Sequence, residues 1–312
     1  MPPSPLPSSG LIARQCYDFE DQKRRRRAML CRSLEEILMS DTDFTLRDMA
    51  TAEDYAVLFQ VQMVLMFEWV EKLPEFCLLL DPLDKVVQSV HVIDIGINRL
   101  NHVLQTKLLR AFALRYLLLD NVFHTMELGY EDRIVLVNNN YMKPFEAPPL
   151  PQNDLTDEKR VELMMYGAEA QAMLDDLVIP MKRMALKVGE MMTLRMIMFW
   201  NPGNVGLTPS GIEIARTVGF NNAVKELHHY FEGEGVTDVE HRIGNLLLLL
   251  PAFTVSSVSP LPFFLYELLL IFLRIFILQK HVRYLYELVK LIPSFGKMNE
   301  WDSFMDVLLN GL

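Results

Sequence analysis

The sequence predicts an all-α domain carrying one short β-hairpin, and three features predict it. Glycine is sparse, 14 residues in 312, against 19 Met and 18 Phe, which suits helices around an adaptable apolar interior. Apolar residues recur at helical spacing from Ala28 onward. The period breaks at Arg133-Ile134-Val135-Leu136-Val137, which runs into Asn138-Asn139-Asn140 as a short strand enters a turn.

Composition bounds the rest. The chain is 51% apolar and 22% charged, which excludes a wholly disordered protein and allows a sizeable core in one large domain or two small ones. Forty acidic against thirty basic residues give −10, so the chain as a whole is no polyanion binder. Three cysteines (Cys16, Cys31, Cys77) cannot build a disulfide framework, and they are too few for a module with two four-cysteine zinc sites. No charged, apolar and cleavage regions follow one another at the start, so the expectation is no secretory signal and a reducing, intracellular compartment.

Residues 1–28 are expected to be a flexible leader: a Pro/Ser cluster at 1–9, little apolar periodicity, then Lys23-Arg24-Arg25-Arg26-Arg27. That run reads either as a solvated helix start or as a nuclear-import or phosphate-contacting arm. Leu30, Leu34, Ile37 and Leu38 then form one helical stripe, with Arg32, Glu35 and Glu36 turned outward. A longer helix spans about 47–73 with Val57, Leu58, Val61, Val64, Leu65 and Trp69 on its apolar face, and Pro74 bends the chain near its end. Residues 107–126 are nearly all apolar apart from Arg110, Arg115 and Asp120, as in a helix at the middle of a core. After the strand, helices are expected at about 159–178, 181–200, 210–232, 238–250, 282–291 and 301–309, with a helix-ending turn at Asn201-Pro202-Gly203-Asn204.

These helices carry a specific resemblance. Phe67-Glu68-Trp69-Val70-Glu71-Lys72-Leu73-Pro74-Glu75-Phe76, followed by Leu80, Asp81 and Asp84-Lys85, resembles the signature of nuclear-receptor ligand-binding domains. Leu108-Leu109-Arg110-Ala111-Phe112-Ala113, Phe199-Trp200-Asn201-Pro202 and Arg242-Ile243-Gly244-Asn245 with the Leu run after it match in the same order. Trp301-Asp302-Ser303-Phe304-Met305-Asp306-Val307-Leu308-Leu309 resembles the activation helix that closes such domains. The resemblance covers about residues 29–312 and points to the branch of hepatocyte nuclear factor four and related nematode receptors. It implies a three-layer helical sandwich around an apolar pocket.

Two segments depart from the family spacing, 86–105 and 255–279, and removing both restores it. Each begins with Val and ends with Gln, whose codons can carry the two ends of an intron, so both are hypothesised to be retained introns or gene-prediction errors. Within the second, residues 262–279 are about long enough to span a membrane. Glu267 and Arg274 inside it argue against that, at roughly 2.5–3.5 kcal/mol each near a bilayer centre, and the expectation is no membrane span.

The resemblance also implies function. Arg110 falls where such receptors hold a fatty-acid carboxylate, and a buried guanidinium can grip one with two parallel bonds. An Arg paired with a core Glu, or one lying in the coactivator groove, reads equally well. Val61, Met66 and Met173 are candidate pocket walls or plain core. A groove for an amphipathic coregulator helix would be capped by Lys72 and Asp306, each one register from the expected position, because Glu71 and Val307 occupy those positions. Phe304, Met305, Leu308 and Leu309 would form the groove's moving wall, and surface charge accounts equally well for Lys72 and Asp306. Glu190 and Arg242 match a structural pair of the family. The Arg242 helix with its Leu run implies homo- or heterodimerisation.

No catalytic constellation is present. His228, His229 and His241 have no metal spacing with any cysteine, and Gly203, Gly206 and Gly211 follow no strand. The expectation is a non-enzymatic nuclear protein without cofactor or metal, whose partners are a small lipophilic ligand, coregulator peptides and a second receptor chain, with no direct nucleic-acid contact through this chain. Complete receptors carry a zinc DNA-binding module whose cysteines are not in this sequence. Two readings therefore stand: a piece of a longer receptor, whose basic run is a hinge remnant, or a receptor-like protein acting through partners alone.

Overall fold

The computed structural model describes residues 10–33, 36, 45–73, 76, 94–146, 170–204 and 207–253. Their first element replaces the expected flexible leader by a helix over residues 11–28. Helix α1 runs Leu11–Leu30, starting eighteen residues before the predicted domain boundary, and it packs on three other helices. Its inner face is Ile12, Gln15, Phe19, Gln22, Arg26 and Leu30, a helical spacing in which half the buried residues are polar. Glu226 Oε2 accepts from the Leu11 N–H at 3.0 Å, which supplies from another helix the cap that Gly10 lacks. The basic run is surface and core of this helix, not a free arm. Arg25 makes two bonds to Glu68 at 2.6 Å, Arg26 is buried on Asp120, Lys23 reaches Glu20 and Glu127, and Arg24 reaches Asp21.

Helix α2 is Ala52–Glu71, opened by a capping box in which Thr51 and Asp54 bond each other's backbone N–H. It starts later than predicted because the preceding residues bond to the 139–141 segment, Met49 forming an isolated bridge with Tyr141. Arg47 N donates to Asn139 O and Ala50 N to Tyr141 O, each at 2.9 Å. The face of α2 also differs from the predicted stripe: Val57 and Val64 are exposed, while Gln62 and Met63 are buried. Helix α3, Asp94–Leu128, begins inside the segment read as an insert and ends at Gly129, whose φ of 80° a residue with a side chain rarely adopts.

Strands β1 (Ile134–Val135) and β2 (Tyr141–Met142) pair antiparallel, Ile134 opposite Met142, and Asn139 turns the chain at φ 67°. Thr125 on α3 holds the hairpin, accepting from Val135 N at 2.9 Å and donating to Val135 O at 3.0 Å.

A π-turn, Leu174–Val178, leads into α4 (Ile179–Arg183). Helix α5, Val188–Phe199, is buried from Gly189 to Phe199 and is the centre of the domain. Helix α6 (Pro209–Ile214) passes through a π-turn (Ala215–Phe220) into α7 (Asn221–Gly233). Gly219 in that turn lies under Trp200, where a Cβ would come within 2.0 Å of the indole. Helices α8 (Val239–Leu247) and α9 (Leu250–Phe253) close the described chain.

Helices α3 and α5 pack on each other as the middle layer. Helices α1 and α2 pack together beside them, the hairpin and α4 sit on α3, and α7 and α8 sit on α5. This is the all-α, three-layer class that the sequence predicts. Phe112, Trp69, Phe199 and Trp200 form an aromatic chain through its core, with centroids 5.0–5.5 Å apart at Trp69–Phe112, Phe112–Phe199 and Phe199–Trp200. No helix of the described residues is long and apolar enough to cross a membrane, and residues 262–279 lie outside them.

Candidate functional site

The expected pocket residues lie on α2, on α3 and just before the first π-turn. Met66 on α2 and Met173, just before the π-turn, are fully buried in one continuous apolar core, and Val61 on α2 is half-buried against it. Arg110 lies on α3, between Leu109 and Ala111, and its side chain is outside the described residues.

Of the expected groove, the structure describes the end of α2. Glu71 and Lys72 are both exposed there, and the Lys72 N–H closes α2 by donating to Trp69 O and Val70 O. Lys72 Nζ stands 3.8 Å from Asp18 on α1, at a small polar cleft that Arg25, Glu68 and Trp69 also line and that has room for little more than a water molecule. Asp306, Phe304, Met305, Leu308 and Leu309 lie outside the described residues.

Glu190 and Arg242 are brought together. Arg242 Nε and Nη2 donate to the two oxygens of Glu190 at 2.5 and 2.8 Å, and Nη1 donates to Met184 O at 2.7 Å. The hydrogen bond to Glu190 raises the Arg242 pKa above its ordinary value. Glu190 Oε2 also accepts from the Lys187 N–H at 2.7 Å, so one carboxylate caps α5 and anchors α8.

A second polar constellation was not foreseen. Asp120 on α3 is buried and accepts from Arg26 on α1 at 3.1 Å, from Arg195 on α5, and from Gln62 on α2 at 3.4 Å. Arg195 also donates to Gln22 at 3.2 Å and lies 4.5 Å from the Tyr116 ring centroid. One carboxylate thus ties four helices together. Burial first, then the Asp120 charge, drives the Tyr116 hydroxyl far above its ordinary range. Arg115, also on α3, is buried and donates to Asn204 Oδ1 at 2.7 Å, in the turn after α5. The signal for these residues was present: Arg115 and Asp120 interrupt an otherwise apolar helix, and a buried polar group requires a partner.

Among the described residues no group of His, Cys, Asp and Glu is placed to hold a metal ion.

Comparison with known proteins agrees with this architecture. A family model of the ligand-binding domain of nuclear hormone receptors matches residues 94–257. Human hepatocyte nuclear factor 4-gamma is 28% identical over 224 residues, 70% of this chain and 43% of that protein. The Xenopus laevis hepatocyte nuclear factor 4-alpha is 27% identical over 223 residues, 70% of this chain and 38% of that one. The mouse 4-gamma protein is 29% identical over 221 residues. The chain therefore spans less than half the length of these curated relatives.

Proposed function

The chain belongs to the nuclear hormone receptor ligand-binding domains, and from that premise we propose that it is the sensing domain of a nuclear transcription regulator which binds a fatty acid or similar small lipid and recruits coregulator peptides. The family is one of ligand-binding regulators rather than enzymes. The observation that carries the reading is the family match across α3–α9, laid over a core lined with methionine: Met66, Met173, Met181, Met191, Met192, Met196 and Met198 are all buried. Such thioether walls adapt to a flexible acyl chain at little cost. Arg110 would hold the carboxylate, with Val61, Met66 and Met173 as walls. Lys72 and Asp306 would cap the coregulator helix against Phe304, Met305, Leu308 and Leu309.

Glu71 in place of the expected Lys favours a second reading, a receptor-like protein that acts by dimerisation or by competing for coregulators. Native mass spectrometry of the purified chain separates the two. The first reading expects a co-purifying acyl chain that Arg110→Ala removes. A lipid-free protein whose melting temperature ignores added fatty acids overturns it in favour of the second.

A further inference from the structure

Five charged side chains of the described residues are buried: Arg26, Arg115, Asp120, Glu190 and Arg195. Four of them have an oppositely charged partner, although two share a single carboxylate. Arg26 and Arg195 share Asp120, and Glu190 is held by Arg242 from a half-buried position. Arg115 is 5% exposed, and its partner is an uncharged amide.

That bond leaves donors in surplus. Arg115 Nη1 gives its proton to Asn204 Oδ1, so the other end of the amide is Nδ2, itself a donor. Neither Asn204 Nδ2 nor Arg115 Nε has an acceptor, and both atoms are buried. Burial pushes the guanidinium down to about 10, which still leaves it charged at neutral pH. A buried cation without an anion is a costly state that proteins avoid, and deprotonation does not relieve it here.

We propose that Arg115 and Asn204 form a binding site for a small monoanion, a carboxylate or a halide, between α3 and the turn that follows α5. The chemistry is that of an anion site: two buried donors, a full positive charge, and no competing carboxylate from the described residues. Nε lies on the guanidinium's side-on edge, the edge that grips a carboxylate with parallel bonds. The site stands apart from the lipid reading, which places its anchor at Arg110.

The test is thermal unfolding of the full chain in a buffer whose anion is the bulky sulfonate of HEPES, then with sodium chloride or sodium acetate at the same ionic strength. The wild type should gain about 2–4 °C. Asn204→Asp supplies the missing carboxylate in place, so it should melt as high without either anion and respond to neither. Arg115→Met should also lose the response. A response to acetate alone supports a carboxylate site, and a response to both supports a general monoanion site. A wild type indifferent to both anions overturns the proposal. So does an Asn204→Asp protein that still responds, or a response that Arg115→Met preserves. Native mass spectrometry of lipid is a separate readout, so the two readings fail separately.

Discussion

Asp120 carries more of this domain than any other single side chain of the described network. Its carboxylate is the shared ion-pair partner of two buried guanidiniums, Arg26 and Arg195, and also accepts from Gln62. Asp120→Asn keeps the size and removes the charge, which strands two cations in a low-dielectric core. We expect a loss of about 3–5 kcal/mol in chemical denaturation, the range for breaking a buried ion pair from one side. Replacing Arg26, Asp120 and Arg195 together by apolar residues of matching volume should cost far less, because no charge is then left unpaired. A single-site loss under about 1 kcal/mol would mean that water reaches the network. At this scale the sequence is legible only in outline. Asp120 and Arg115 are visible as polar residues in an apolar helix, but the two arginines on Asp120 come from 94 and 75 positions away. Glu190 and Arg242, 52 positions apart, were paired by resemblance and not by any local pattern.

Helix α1 shows why periodicity misses some elements. Its inward face alternates Ile12, Phe19 and Leu30 with Gln15, Gln22 and Arg26, so half of the stripe that would announce a helix is polar. Each polar member has a buried partner on another element: Gln15 accepts from the Trp69 indole N–H at 2.5 Å, Gln22 donates to Leu65 O at 2.9 Å, and Arg26 reaches Asp120. These partners make the polar face compatible with burial, and no window on α1 alone reveals them. On α2 the error runs the other way, since Val57 and Val64 extend the apolar stripe but face solvent, while Gln62 points inward. A chain that begins at Cys31 therefore loses more than a leader. It forfeits about 1.5–3 kcal/mol for each of Ile12, Phe19 and Leu30, and it leaves Trp69 and Asp120 short of a partner. That loss approaches the whole stability of an ordinary domain. We expect the truncated chain to lose its cooperative transition in urea followed by circular dichroism, and a sharp transition at the full-length midpoint would show α1 to be dispensable.

For the whole molecule, the fold class and the order of helices are legible because long amphipathic helices leave a strong period, whereas assembly surfaces leave almost none. The Leu run that follows Arg242 illustrates this. Leu246 and Leu249 turn into the core, at 1% and 4% exposed, whereas Leu248 is 75% exposed. The run is thus two-sided, and from sequence both burial inside the domain and a dimer face fit it. A single exposed Leu is ordinary on a protein surface. Just past the end of α8, it is a candidate centre for a two-fold contact that would meet its own copy. Leu248→Glu puts like charges across such an axis and touches nothing in the core. We expect the wild-type chain to run as a dimer in light scattering and Leu248→Glu as a monomer, with the far-ultraviolet spectrum unchanged. Leu246→Ala is the counterpart: it should cost about 2–5 kcal/mol of stability through the cavity it opens, whatever the oligomeric state. If the wild type is monomeric at concentrations well above the micromolar range, the surface around Leu248 does not serve self-association, and its outward turn is only the geometry of a helix end whose neighbours Leu246 and Leu249 are buried.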